Sequence, residues 1–386
     1  MTFTIALVVF SVCFAVTLYI YFGYPALLWV LSRLRPKPVA EADITPKATF
    51  VICCHNEEGV IGEKIANTLS LDYPADKIEV LVVSNGSTDR TNEIVSRVTD
   101  PRVRLIALEQ AGKMLALNEG ARQASGEILV ISDSDFLLDD HTLRLMARKF
   151  ADPEVGGVCG ARRSGMKRGG DATGEGEGMY AMWDKWQKSL ESRIGSVFAA
   201  DGLLYAIRRE LYVPITQPGQ SDDITVSVQI PLRGHRLLYE PNATAWEEAT
   251  VEAKSEFRRK VRITHRSIRA LLSIGSRLFT SGFYSVELLS HKLVRHFIPV
   301  FLIPLFISNA VLAFYSPLFA ILFAGQAAIY TLGFIGAMLR DTKLGRARVF
   351  AVPYYFCFVN TAAFFGILKL FRGQQTHVWQ TRATRA

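Results

Sequence analysis

The chain has 386 residues, 49% hydrophobic and 21% charged, with a formal net charge of +8. That length holds one large domain or two ordinary ones. The five cysteines (Cys13, Cys53, Cys54, Cys159, Cys357) show no spacing of a disulfide framework. The basic excess needs no nucleic acid, because it sits beside apolar segments, where anionic headgroups attract it.

Charge is absent from residues 1–32, 297–339 and 349–368. About 20 apolar residues cross a bilayer as a helix. These runs predict an N-terminal transmembrane helix over 1–32, two transmembrane helices over 297–340 and a third apolar segment within 349–386. The first run is long and has no basic stretch before it, so a cleaved signal peptide is not expected. Arg33, Arg35 and Lys37 follow the first run, and six basic residues from Arg258 to Arg269 precede the second. Positive charge at membrane ends marks the cytoplasmic side. The expectation is a multi-pass protein of the cell (inner) membrane, its soluble region over 45–250 cytoplasmic.

The soluble region alternates strand and helix patterns. Residues 49–53, 78–83, 103–108 and 128–131 read as short apolar strands, and 60–70, 91–98 and 113–124 as helices between them. This order predicts an α/β fold with a mainly parallel sheet. Polar clusters follow three strands: His55-Asn56-Glu57-Glu58, Ser84–Asp89 by number 84–89, and Asp133-Ser134-Asp135. Carboxyl ends of strands are where open α/β sheets bind ligands. A glycine-rich stretch over 164–178 reads as a mobile loop, and 180–194 as a helix carrying Trp183 and Trp186, which suit either an acceptor platform or core packing. Residues 196–200 and 203–207 read as strands, and Ser221-Asp222-Asp223 as a turn into a helix. Residues 251–296 form basic amphipathic interfacial helices. His265, His291 and His296 lack metal-ligand spacing.

The residues after β-like runs carry the chemistry. Two hard oxygen donors at Asp133 and Asp135 suit a Mg²⁺ or Mn²⁺ ion bridging a diphosphate, though a solvated turn would read the same way. Lysine is unfavourable at a helix start unless an anion sits there, which makes Lys113 a phosphate candidate. Ser221 or Asp222 could equally cap the helix that follows.

Taken together, the segments Val51–Glu58 (51–58), 82–89, Ala111-Gly112-Lys113, Asp133-Ser134-Asp135, 202–209 and Ser221-Asp222-Asp223 resemble the successive blocks of family 2 glycosyltransferases. The resemblance covers about residues 45–270. It implies a Rossmann-like GT-A nucleotide-sugar domain flanked by membrane helices. It also implies a UDP-sugar site with Asn56, Glu58 and Asp89 at the nucleoside, Lys113 at the diphosphate, Asp133 at the sugar or ribose, and Asp135, with Asp133, at the metal. Asp223 aligns with the catalytic base, and Asp222 takes a place where many relatives have Glu. Asn85 stands where the family often has Asp. Arg259-x-x-Arg262-Ile263 resembles the Q-x-x-R-W segment of cellulose, chitin and hyaluronan synthases, with Ile263 replacing the stacking tryptophan. Trp379-Gln380-Thr381-Arg382 resembles the W-x-T-R gating segment of hyaluronan synthases, so Trp379 and Arg382 join the expected donor site.

A cytoplasmic gating segment and a basic tail favour three spanning helices, with 349–368 interfacial or re-entrant. The leading expectation is an inverting transferase moving a sugar from a UDP donor to a lipid-linked or growing glycan acceptor in cell-envelope or exopolysaccharide synthesis. A processive β-polysaccharide synthase is the alternative; three helices make a poor conduit, so export would need a homo-oligomer or a partner protein. A non-catalytic membrane sensor or scaffold is the third reading, against which the complete set of acids argues.

Overall fold

In the computed structural model, which describes residues 1–109, 112–164, 172–217, 219–247 and 253–374, the strand Ala48–Cys54 (β1) is buried along its whole length. Its side chains alternate between two cores. Phe50, Ile52 and Cys54 enter one, and Val51 and Cys53 the other. A strand with both faces apolar must be covered on both sides, which is why its sequence is a continuous apolar run.

Ile78–Asn85 (β2) and Ile128–Ser132 (β4) flank β1 in parallel, and Val103–Leu108 (β3) extends the sheet beyond β2. Phe136–Leu138 (β5), Val155–Ser164 (β6), Leu204–Arg208 (β7) and Arg236–Glu247 (β8) complete an eight-stranded mixed sheet in the order β3-β2-β1-β4-β7-β6-β8-β5. The parallel half with its intervening helices agrees with the sequence reading. Those helices are Ile61–Leu69 (α2), Thr91–Ser96 (α3) and Lys113–Gln123 (α4). Thr142–Lys149 (α5) follows the β5 strand.

Two local expectations are corrected. Residues 196–200 are buried without forming a strand. The Phe198 and Ala200 N–H groups donate to Glu191 Oε2 at 3.3 Å and Ser227 Oγ at 2.9 Å instead of a ladder. The glycine-rich stretch is helical from Ala172, where Ala172–Ile194 (α6) begins. Gly176 serves close approach: a Cβ there would lie 2.3 Å from the Tyr355 Cβ.

Asp222–Ser227 (α7) carries the second acid pair, and Ala253–Leu272 (α8) is the basic amphipathic helix. Four helices are long and apolar enough to cross a membrane: Thr2–Leu34 (α1), Phe283–Ala313 (α9), Pro317–Met338 (α10) and Arg348–Phe371 (α11). The helix α11 is continuous over the segment the sequence favoured as interfacial. It lies against α8, with Phe257 meeting the Phe358 and Phe365 rings at 5.5 and 6.1 Å. Small residues set the close crossings, as in membrane bundles generally. Gly336 faces the Phe350 carbonyl and Gly333 the Pro353 carbonyl.

At Gly366 an added Cβ would meet Thr264 Cβ at 2.8 Å and the Val261 carbonyl oxygen at 3.0 Å, whereas Gly325 has open space. Gly366→Val is therefore expected to cost about 1–3 kcal/mol by overpacking. Thermal unfolding in detergent should show a lower midpoint for Gly366→Val than for Gly325→Val.

Candidate functional site

β1, β2 and β4 end at one edge of the sheet and deliver their polar loops there. The first two loops are clasped to each other. Asn56 has a positive φ of 53°, a conformation that asparagine tolerates. Its Oδ1 accepts the Thr88 N–H at 2.8 Å, and its own N–H donates to Ser87 Oγ at 3.1 Å. Asp89 accepts the N–H groups of Glu58 and Thr91, each at 3.0 Å, and Glu58 accepts that of Arg90 at 3.0 Å. Burial pushes the Asp89 carboxyl up, but these donors outweigh it and hold it below the usual range. Asn56 and Asp89 are half-buried and Glu58 exposed in this clasp, while Glu57 and Asn85 line the cavity beside it. Asn85 Oδ1 accepts the Gly112 N–H at 2.8 Å. Gly112 has φ 89°, the turn that starts α4 at Lys113.

The Asp133-Ser134-Asp135 turn rests on a lysine that sequence reasoning missed. Lys64 Nζ, fully buried, donates to Ser132 Oγ at 2.8 Å and to the Phe136 carbonyl at 2.7 Å, one bond on each side of the turn. Burial lowers its pKa to about 7 against the pull of Asp133 and Asp135. The available signal was its position: Ile61, Lys64, Ile65 and Thr68 form the buried stripe of α2.

Above the turn, Lys113 Nζ reaches Asp133 Oδ1 and Asp222 Oδ2, both at 2.8 Å. Burial works against the lysine's charge, yet the two carboxylates hold its pKa well above the ordinary value. The acids of α7 are driven apart. Burial opposes ionisation of Asp222, but Lys113 outweighs it and the carboxyl is held low. Asp223 is raised, first by burial and then by the Asp222 charge. Its Oδ2 accepts the Gly202 N–H at 3.1 Å, and its Oδ1 accepts the Ile224 N–H at 2.8 Å and the Ser221 hydroxyl. Of the two neighbouring carboxyls, Asp223 is thereby the stronger base.

Asp135 lines the cavity beside Asp133. Among the described residues no group of three or more His, Cys, Asp or Glu could hold an ion alone. A Mg²⁺ or Mn²⁺ shared with phosphates takes only one or two protein carboxylates, and this turn fits that share.

Arg259, Arg262 and Arg266 form one stripe of α8 on the cavity wall, next to Ile263. Arg259 donates to Glu256 at 2.6 Å and to Glu177 at 3.0 Å, and Lys260 reaches the same two carboxylates. Arg259 therefore braces α8 against α6. Arg266, read from sequence only as membrane-edge charge, acts on the charges of Asp222 and Asp223. Its spacing of four from Arg262 was the overlooked signal. Trp379 and Arg382 lie outside the described residues.

The cavity continues toward the membrane helices. Trp183 lines it, with its ring 4.4 Å from the Arg295 guanidinium, while Trp186 is exposed off the cavity. Lys188 pairs with Asp201 at 2.5 Å and Asp184 at 3.2 Å. His291 is buried between Glu191, 2.6 Å from Nδ1, and Asp184, 3.2 Å from Nε2, and the Tyr24 hydroxyl donates to Glu191 at 2.5 Å. This polar chain ties α1, α6 and α9 together. The whole cavity measures about 1600 Å³, beyond the roughly 300–1,000 Å³ of a pocket for one small ligand. It has room for two substrates.

Comparison with known proteins follows the geometry. Residues 49–196 match the profile of the family described as Glycosyl transferase family 2. A poly-β-1,6-N-acetyl-D-glucosamine synthase of Staphylococcus aureus (strain MSSA476) is 29% identical over 220 residues, 55% of this chain and 52% of its own. The enzyme of the same description from Staphylococcus epidermidis is 28% identical over 205 residues, 51% and 49% of the two chains. The chain thus spans about half the length of the curated relatives it matches. A solved mannosyltransferase from Pyrobaculum calidifontis, in complex with GDP-Man and Mn²⁺, superposes with a TM-score of 0.69 at 25% identity. That match covers 95% of this chain and 100% of the other, membrane helices included.

Lys113→Met leaves Asp133 and Asp222 without their shared cation. Breaking a buried pair costs about 3–5 kcal/mol; with the Lys113 side chain 25% exposed, about 2 kcal/mol is expected after solvent screening. Chemical denaturation should show that loss, and Lys113→Arg should recover part of it.

Proposed function

From a chain whose residues 49–196 match the profile of the family 2 glycosyltransferases, we propose an inverting sugar transferase of that family. It takes its sugar from a UDP donor and delivers it to a lipid-linked or growing glycan acceptor in cell-envelope or exopolysaccharide synthesis. One observation carries this reading: a single cavity is lined by Lys113, Asp133, Asp222 and Asp223 at one end and by membrane helices at the other.

The acceptor hydroxyl gives its proton to the Asp223 carboxylate as its oxygen bonds to the anomeric carbon. The bond from that carbon to the diphosphate oxygen breaks on the opposite face, which inverts the configuration. UDP leaves with the bonding electron pair. Lys113, Arg262 and Arg266 supply positive charge for the leaving diphosphate. A divalent cation held by Asp133 and Asp135 would add Lewis-acid stabilisation of that same charge. Asp222 keeps Lys113 in place and raises the basicity of Asp223.

The synthases of Staphylococcus support a growing glycan as acceptor, which is the processive alternative. The full-length match to a mannosyltransferase bound to GDP-Man supports a second donor reading. A panel containing UDP-sugars and GDP-mannose, with Mg²⁺ or Mn²⁺, separates these by the nucleotide diphosphate released. A long product from one donor selects the processive reading, and a single added sugar selects single transfer.

A positioned base contributes about 10²–10⁴-fold, so Asp223→Asn should lose that much rate while UDP still binds. Unchanged turnover in this variant would remove Asp223 from the mechanism. The reaction needs Asp223 ionised, so kcat/KM rises as pH passes upward through its raised pKa. Asp222→Asn removes one of the two causes of that rise, and the acid limb of the profile should move to lower pH.

A further inference from the structure

The membrane end of the cavity has a cationic pole that the transfer chemistry above does not use. Lys292, Arg295 and His296 lie at i, i+3 and i+4 on α9 and all line the cavity. Lys292 and Arg295 carry the charge, and Asp184, Asp201 and Asp223 act on Lys292 without pairing with it. Asp184 is shared by Lys188 at 3.2 Å, His291 at 3.2 Å and Arg295 at 3.5 Å. Among the described residues Lys292 makes no hydrogen bond or ion pair. Arg295 Nη2 and His296 Nε2 are buried with no hydrogen-bond partner. Buried donors without acceptors are costly, and two of them beside the half-buried Lys292 ammonium call for an anion there.

The backbone is adapted to this pole. Both helices that face each other across it carry π-helical turns, Tyr19–Gly23 in α1 and Leu288–Val294 in α9. The Tyr19 hydroxyl and Ser290 Oγ, one from each turn, are 2.9 Å apart. Such turns recur at functional sites. In α1 the turn lets the consecutive residues Tyr21 and Phe22 both line the cavity, although Phe22 is also 69% exposed on the outer surface of the helix. Val352 of α11 likewise lines the cavity and is exposed. The cavity therefore opens sideways, between apolar side chains of α1 and α11, to the surface that a bilayer would cover.

We infer that Lys292, Arg295 and His296 bind the phosphate of a lipid phosphate ester, whose chain leaves between α1 and α11. This rests on the transferase reading for its purpose. Lys292 is close enough to Asp223 to act on its charge, so a sugar attached to that phosphate would extend its hydroxyl toward the base. Charge-assisted bonds to phosphate oxygens would satisfy the orphaned donors, and the guanidinium of Arg295 is already fixed over the Tyr180 and Trp183 rings at 4.5 and 4.4 Å.

The test uses the full chain in phosphatidylcholine nanodiscs, with geranylgeranyl diphosphate as the probe and tryptophan fluorescence as the readout. Geranylgeraniol and inorganic pyrophosphate are the controls for chain and phosphate alone. Lys292→Gln is expected to weaken binding of the probe at least tenfold, and Lys292→Arg to stay within about threefold of wild type, while both retain wild-type UDP affinity. Wild-type probe affinity in Lys292→Gln would overturn the inference. So would loss of UDP binding in that variant, since it would place Lys292 in the donor site. Geranylgeraniol binding as tightly as the probe would remove the phosphate contact, and pyrophosphate binding as tightly would remove the lipid. A wild-type chain that binds the probe but not UDP would sink the donor reading and leave this one standing.

Discussion

One ammonium group organises the acidic end of the cavity. Lys113 draws together a carboxylate from the end of β4 and one from the start of α7, elements 89 positions apart in sequence by the numbers of Asp133 and Asp222. Without it two like charges would face each other in a poorly solvated space, and one of them would take up a proton. With it, Asp222 stays ionised and its charge falls on Asp223. The basicity of the one acid is thus set by the salt bridge of the other. The conformation that permits this is local and inexpensive: a glycine at positive φ, held by the Asn85 amide, begins α4 at the right residue.

A second layer of buried lysines supports the acids from behind. Lys64 clips the turn between β4 and β5, and Lys188 holds Asp184 and Asp201. Each is in contact with groups from other elements, so each substitutes for solvent that the fold has excluded. Neither lysine announces itself in sequence, because a lysine on an amphipathic helix is ordinarily solvated. Lys64 betrays itself only by sharing a stripe with Ile61 and Ile65.

The parallel half of the sheet was legible because β1, β2 and β4 are apolar on both faces and end in polar clusters. The strands β6 and β8 were not. Their pairing is long-range, and glycines at 156, 157 and 160 interrupt the pattern of β6 for the sake of close packing, where Leu237, Leu204 and the Ala243 carbonyl leave no room for a Cβ. Within the site, acids at strand and helix ends could be read directly. The clasp that joins Asn56, Glu58 and Asp89 could not be read, since its hydrogen bonds depend on two loops meeting in space. The role of His291 was hidden for the same reason: its partners Asp184 and Glu191 lie 107 and 100 residues away.

The contact between α11 and α8 has a mechanical meaning. At Gly366 the two helices touch nearly backbone to backbone, and the opposite flank of α8 presents Arg262 to the cavity and Arg266 to the acids. There is no soft side chain at that point to absorb a displacement. A bilayer that thickens, thins or is stretched pushes on its apolar helices, and any shift of α11 along or across α8 is passed on to those guanidinium groups. A bilayer around these helices would in that sense be one of the forces that sets the electrostatic field at the acid cluster.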